Sequence, residues 1–163
     1  MKNKDLFTFK EGLEEAKKLQ GVKFAYAVAK NSKLVTGEIE SLQETIKPSE
    51  EYSEFEKERD EIVKKYAKKD KNGDPKQETQ EVNGQTFSFY KIEEEGMADY
   101  NKDFEELKEG HKEIIEARDK QLEEYDNLLK EDCDIKVHMT VIDLVPENIT
   151  GETLELIDWM IEE

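Results

Sequence analysis

A chain of 163 residues, 41% charged and 35% hydrophobic, has the length of a single domain and too much charge for a large compact core. Its formal net charge of −17 repels phosphate and argues against direct nucleic-acid binding; its one cysteine, Cys133, leaves no intramolecular disulfide and no multi-thiolate zinc site. No run approaches the ~20 apolar residues of a membrane span, and the start "MKNKDLFTFKEGLEEAKK" has no continuous apolar stretch of the signal-peptide kind, so a soluble intracellular protein is expected.

The charge is unevenly placed: residues 1–69 balance to +1, residues 70–90 to −2, and residues 91–163 to −16. A solvated helix face is the plain meaning of such a run, and a basic protein partner is the functional one. Disorder competes for any acidic chain, but the apolar residues here recur in ordered stripes, as a thin helical protein requires.

Taken in chain order, Thr8 and Glu11 have capping-box spacing, with Phe9, Leu13, Ala16 and Leu19 as the stripe behind them and Gly21 as the stop. A second helix starts near Val22 and continues through Val35, Ile39, Leu42 and Ile46. Its opening stretch, Phe24 to Val28, is apolar nearly all round, which makes Phe24, Tyr26 and Val28 candidate partner-binding residues.

Beyond Pro48 the stripe restarts as Tyr52, Phe55, Arg59, Ile62 and Tyr66. On a straight helix this second stripe lies about 150° around from the first, so a break at Lys47-Pro48 is the simpler account.

Residues 70–81 offer Asp70, Asn72, Asp74, Lys76, Glu78 and Glu81 at the ligand positions of an EF-hand loop. Pro75 stands at the sixth position, where that loop needs glycine, so a polar turn is expected instead. Two Asn-Gly pairs, Asn72-Gly73 and Asn83-Gly84, fit a loop or hairpin, and Thr86 to Tyr90 reads as a strand.

From Glu94 to about Lys130 the chain reads as one helix. Met97, Phe104, His111, Arg118 and Tyr125 recur every seven residues beside Tyr100, Leu107, Ile114 and Leu128, with Gln121 as a polar exception. Its expected partner is the helix of residues 49–68. His111 and Arg118 sit on this seam and are expected to pair with Glu56, Asp60 or Glu61 across it, or to mark a meeting with another subunit.

Ile135, Val137, Met139 and Val141 alternate as in a strand, expected to pair with Thr86–Lys91. Thr150 then caps a terminal helix holding Leu154, Ile157, Trp159, Met160 and Ile161.

Chemistry is sparse. No GxxxxGK[ST], GxGxxG or HExxH occurs; His111 and His138 lack ligand-spaced neighbours; and Cys133 sits among acids in "KEDCDIK", surroundings that do not activate a thiol. No enzymatic activity, metal or cofactor is expected.

Two stretches, "GVKFAYAVAKN" (21–31) and "EFEKERDEIVKKYAKKDKNGDPK" (54–76), are similar to segments of uncharacterised small acidic proteins encoded by tailed phages and prophages. In these a helix ending in a "YAKKDxNGxP"-like turn leads to a second charged helix, and "EDCDIKVHMTVIDLVPENIT" resembles their C-terminal segment. The resemblance implies a viral origin and carries no catalytic residues with it.

The expected fold is mainly α with a minor β part: an elongated antiparallel helical hairpin or coiled coil, a small two-stranded β element and short terminal helices. A single domain, 1–163, is expected to divide into N-terminal helices (8–47), a hairpin (49–131) with a 67–93 connection, and a strand plus C-terminal helix (134–163). The expected function is non-enzymatic protein binding by a phage accessory or structural protein, with a phage or host partner or a second copy, in the host cytoplasm or the virion. The alternative is an acidic nucleic-acid mimic, an anti-defence inhibitor of the anti-CRISPR kind, using Glu105, Glu109, Glu113 and Glu116.

Overall fold

The computed structural model describes residues 1–82 and 84–162 and is mainly helical. Among the described residues the helices are α1 Asp5–Ala16, α2 Val22–Thr45, α3 Glu50–Tyr66, α4 Met97–Gly110, α5 Lys112–Leu128 and α6 Gly151–Ile157. The strands are β1 Gln77–Val82, β2 Gln85–Tyr90, β3 Thr140–Val141 and β4 Ile161–Glu162. The chain forms two compact units, Met1–Lys47 with Gln121–Glu163, and Pro48–Lys120.

The first unit holds most of the apolar core. Leu6, Leu13 and Ala16 of α1 pack with Phe24, Ala27, Val28, Val35, Ile39 and Leu42 of α2, closed by Ile157 and Met160. These positions follow helical spacing, so each helix buries one stripe. α1 starts earlier than its capping-box spacing suggests, leaving Thr8 inside the helix. The cause is tertiary: Lys2 N donates to Asp5 Oδ2 at 2.7 Å, while Asn3 N and Lys4 N bond to Glu131 O and Leu129 O at 3.1 and 3.0 Å. Those contacts order the turn ahead of Thr8.

Gly21 does not terminate α1, which ends at Ala16; it precedes α2 with φ +140°, a conformation other residues rarely adopt. Gln121, the polar exception of the heptad stripe, reaches the end of α2, donating to Thr45 O at 2.6 Å and Lys47 O at 3.1 Å. It thereby satisfies the last carbonyl of the helix, which the helix leaves open, and one just beyond it. Thr150 caps α6 as expected, its hydroxyl accepting from Thr153 N at 3.1 Å.

The second unit is built differently. Only Phe55 and Ala67 are buried among its described apolar residues. Its helices meet through rings and charges: Tyr52 under Arg118 at 5.5 Å, Phe55 against His111 at 5.5 Å, and Tyr66 against Tyr100 at 6.1 Å. Lys65 Nζ and Tyr66 Oη both donate to Asp103 Oδ2, at 2.6 and 2.7 Å. Along these contacts the α3 numbers rise as the partner numbers fall. His111 pairs with Glu58 at 3.5 Å rather than with Glu56, Asp60 or Glu61, because Glu58 lies one turn beyond Phe55, the residue its ring already touches.

The long heptad helix is broken. His111 takes φ −114° and ψ 17°, ending α4 just after Gly110, and α5 starts at Lys112. Glycine at the preceding position lowers helix propensity where the break occurs.

Strand pairing also departs from expectation. β2 pairs antiparallel with β1, from Gln77↔Tyr90 to Val82↔Gln85, rather than with the 135–142 segment. β1 reads QETQEV, with no apolar alternation to reveal it. Of the expected 83–84 turn, Asn83 lies outside the described residues and Gly84 takes φ +77°. Within 135–142 only Thr140–Val141 forms a strand, and it runs parallel to β4. The Asp70 segment is a tight turn: Asp70 Oδ1 accepts from Asn72 N at 2.7 Å and Asp74 N at 3.0 Å, and Gly73 takes φ +91°.

Two outcomes follow. A Cβ on Gly12 would lie 2.6 Å from Leu156 Cβ and 2.8 Å from its carbonyl oxygen. Gly12→Ala is therefore expected to destabilise the chain by about 1–3 kcal/mol, whereas Gly37→Ala, with open space around it, gains about 0.5–1 kcal/mol; urea denaturation checks both. Hydrogen bonds from Lys65 and Tyr66 hold the Asp103 carboxyl below its ordinary range. A depressed folded pKa gives stability that is present above the unfolded value and lost as pH falls through the folded one. Asp103→Asn should flatten the fall in Tm between neutral and acidic pH.

Candidate functional site

Residues 134–139 carry the strand-like alternation seen in the sequence but take no strand partner. Ile135 and Val137 are half-buried against the core of the first unit, while Lys136 and His138 face solvent. Asn31 of α2 anchors the segment. Its side chain, 1% exposed, donates Nδ2 to His138 O at 2.8 Å and accepts from His138 N at 2.8 Å. The carboxamide thus takes the place of a neighbouring strand, since it offers one donor and one acceptor in the right geometry.

The anchored segment and α2 enclose a groove of about 760 Å³. On the α2 side it is lined by Tyr26, Lys30, Lys33, Leu34, Gly37, Glu38 and Ser41; on the other by Ile135 to His138. A second hollow of about 430 Å³ adjoins it, with Val22, Met139, Val141 and Leu144 in its wall, and Tyr26 and His138 line both. Their rings meet edge to face at 5.5 Å. Val22 is 90% exposed and Tyr26 56%, and Leu34, Met139 and Val141 are exposed as well. An exposed apolar surface of this kind, rimmed by polar groups, marks an interaction site more often than a scatter of single residues does.

Three cations line this groove. Lys30 lies over the Tyr26 ring at 5.5 Å. Lys30, Lys33 and Lys136 make no ion pair among the described residues, in a chain with 42 Asp and Glu against 25 Lys and Arg.

Of the residues singled out from sequence, Phe24 and Val28 are 0% and 1% exposed. Their stripe packs with α1 in the core, so they are core residues and not partner-binding ones, whereas Tyr26, nearly half a turn away from each, lines the groove. The acidic set lies in the second unit. Glu105, Glu109, Glu113 and Glu116 are all exposed; Glu105 is bridged to Lys108 at 2.5 Å, and Glu109 and Glu113 flank the break at His111. None of these four is among the residues lining the groove.

Sequence reasoning missed Lys30, Lys33, Leu34 and the 135–138 wall. A signal existed on α2: Val22, Tyr26, Lys30, Leu34 and Ser41 share a second helical face beside the core stripe. The wall gave none, because its position depends on Asn31. Among the described residues no group of three or more His, Cys, Asp or Glu is placed to hold a metal ion, and no helix is long and apolar enough to cross a membrane. Neither a family model, nor a curated protein, nor a solved structure matches this chain.

The Asn31 anchor gives a direct test. Asn31→Ala leaves the His138 N–H and C=O without their partner and is expected to cost about 1–2 kcal/mol. Amide exchange at His138 should accelerate while exchange in the middle of α3 stays unchanged.

Proposed function

We propose that this protein is a non-enzymatic, phage-encoded accessory or structural protein that works by binding another protein, in the host cytoplasm or in the virion. The observation that carries this reading is the surface of the first unit that runs from exposed Val22, Tyr26 and Leu34 to half-buried Ile135 and Val137. Its centre is apolar and aromatic with cations at the edge, the composition of an interface core and rim. The origin rests on the resemblance of residues 21–31 and 54–76 to phage proteins. The finer shape belongs to the proposal too: the chain is one domain, with α3 and α4 as the arms of an elongated antiparallel hairpin. The opposed order of the Phe55–His111, Lys65–Asp103 and Tyr66–Tyr100 contacts supports those arms.

A second reading has its own support. Residues 91–163 carry a net −16, and Glu105, Glu109, Glu113 and Glu116 stand exposed along α4 and α5. Acids ranked on a helix can occupy a basic groove built for phosphates, which is how an anti-defence inhibitor mimicking nucleic acid would act.

Affinity capture from infected-host lysate, with light scattering on the purified chain, separates the two. The first reading expects a partner whose capture drops about tenfold on Tyr26→Ala with Leu34→Ala and is unmoved by reversing the four glutamates. The second expects the reverse pattern, steep loss with salt and competition by DNA. A monomer that captures nothing overturns both.

A further inference from the structure

We propose that the groove between α2 and residues 135–138 receives an acidic peptide segment bearing apolar side chains, supplied by a partner protein. This rests on the interaction reading above and names the chemistry of its partner.

Charge carries the argument. Lys30, Lys33 and Lys136 surround an apolar floor, against the single acid Glu38. Carboxylates outnumber cations in this chain, yet none pairs with these three lysines among the described residues. Some lysines elsewhere do pair with an acid three residues away, as at Lys17–Glu14, Lys18–Glu15 and Lys47–Glu44. Three and four residues from Lys30 and Lys33, α2 carries Tyr26, Ala27, Ala29, Leu34, Thr36 and Gly37 and no acid, leaving a cationic rim in an acidic molecule. A rim of this sign selects a partner of the opposite one and steers its approach.

The floor and the length refine the partner. Gly37 leaves a gap in the helix wall, where a Cβ would meet nothing within 4 Å. Leu34, Ile135 and Val137 present hydrocarbon beside it. From Tyr26 to Ser41 the α2 wall runs about 22 Å at the helical rise, which about seven extended residues span. The adjoining hollow, walled by Val22, Met139 and Val141, takes an apolar anchor at one end. The segment recognised therefore has an apolar anchor followed by acids spaced among further apolar residues. A nucleic acid offers the charge but not the aliphatic side chains that a floor of Leu34, Ile135 and Val137 takes.

Selection from a random peptide library on the full-length chain tests this. The enriched sequences are expected to combine acids with Leu, Ile, Phe or Trp. Synthetic versions, followed by fluorescence anisotropy, should lose affinity about tenfold on Lys30→Glu with Lys33→Glu, and severalfold as salt rises. Lys30→Arg with Lys33→Arg should keep most of the binding, and circular dichroism confirms that each variant is folded. Binding should shift the NMR signals of Tyr26, Gly37 and Lys136.

Enrichment of neutral or basic peptides, or binding indifferent to Lys30 and Lys33, overturns the proposal. So does concentration-dependent dimerisation abolished by Lys30→Glu, which makes the occupant a second copy, or co-sedimentation with anionic lipid vesicles lost in the same variant, which makes it a membrane. If lysate capture survives Lys30→Glu with Lys33→Glu and no acidic peptide is selected, the groove assignment fails while the interaction reading stands. If nothing is captured, the reading itself fails.

Discussion

The carboxamide of Asn31 decides what the first unit presents to its surroundings. A buried amide must be satisfied, and this one is satisfied by the backbone of a residue more than a hundred positions away, His138. The bond pair holds residues 134–139 beside α2 without a strand ladder, letting Ile135 and Val137 cover the core while Lys136 faces outward. The groove exists because that segment is held there. A strand in the same place would have closed the space with backbone; a side-chain anchor fixes one point and leaves the flanks open.

The two units solve the problem of a highly charged chain in different ways. The first concentrates its apolar residues into interlocking stripes on α1, α2 and α6, close enough at Gly12 that no side chain fits against Leu156. The second buries little, and relies on aromatic contacts and on the Lys65–Tyr66–Asp103 cluster. Aromatic rings suit such a thin seam, since each covers a large area and tolerates a polar neighbour at its edge. The same reliance on a carboxylate makes this unit sensitive to acid.

Charge is organised on the scale of the whole molecule. Residues 91–163 carry nearly all of the net negative charge, while the lysines of the groove sit on α2 and on one short segment. Lys136 lies within the acidic part of the sequence, just after Asp132 and Asp134, and is brought to Lys30 and Lys33 by folding alone. Average charge thus conceals a surface of the opposite sign.

Helical spacing determined which segments coil and which faces they bury, because a 3.6-residue period is written locally. The break at Pro48, the Thr150 cap and the turn at Asp70 were legible for the same reason: each follows from side-chain chemistry within a few residues. The heptad stripe was legible as a seam but hid the break at His111, since periodicity survives the interruption of one residue. Strand pairing was not legible. β1 is polar on both faces, and the 135–139 alternation describes burial on one side without naming a neighbour. The candidate site was half visible: Tyr26 stood out, Phe24 and Val28 were mistaken for surface, and the wall was missed. Sequence fixes what a residue prefers to touch; only the tertiary structure chose Asn31 as the partner of His138, because that choice is made between groups whose separation along the chain carries no local signal.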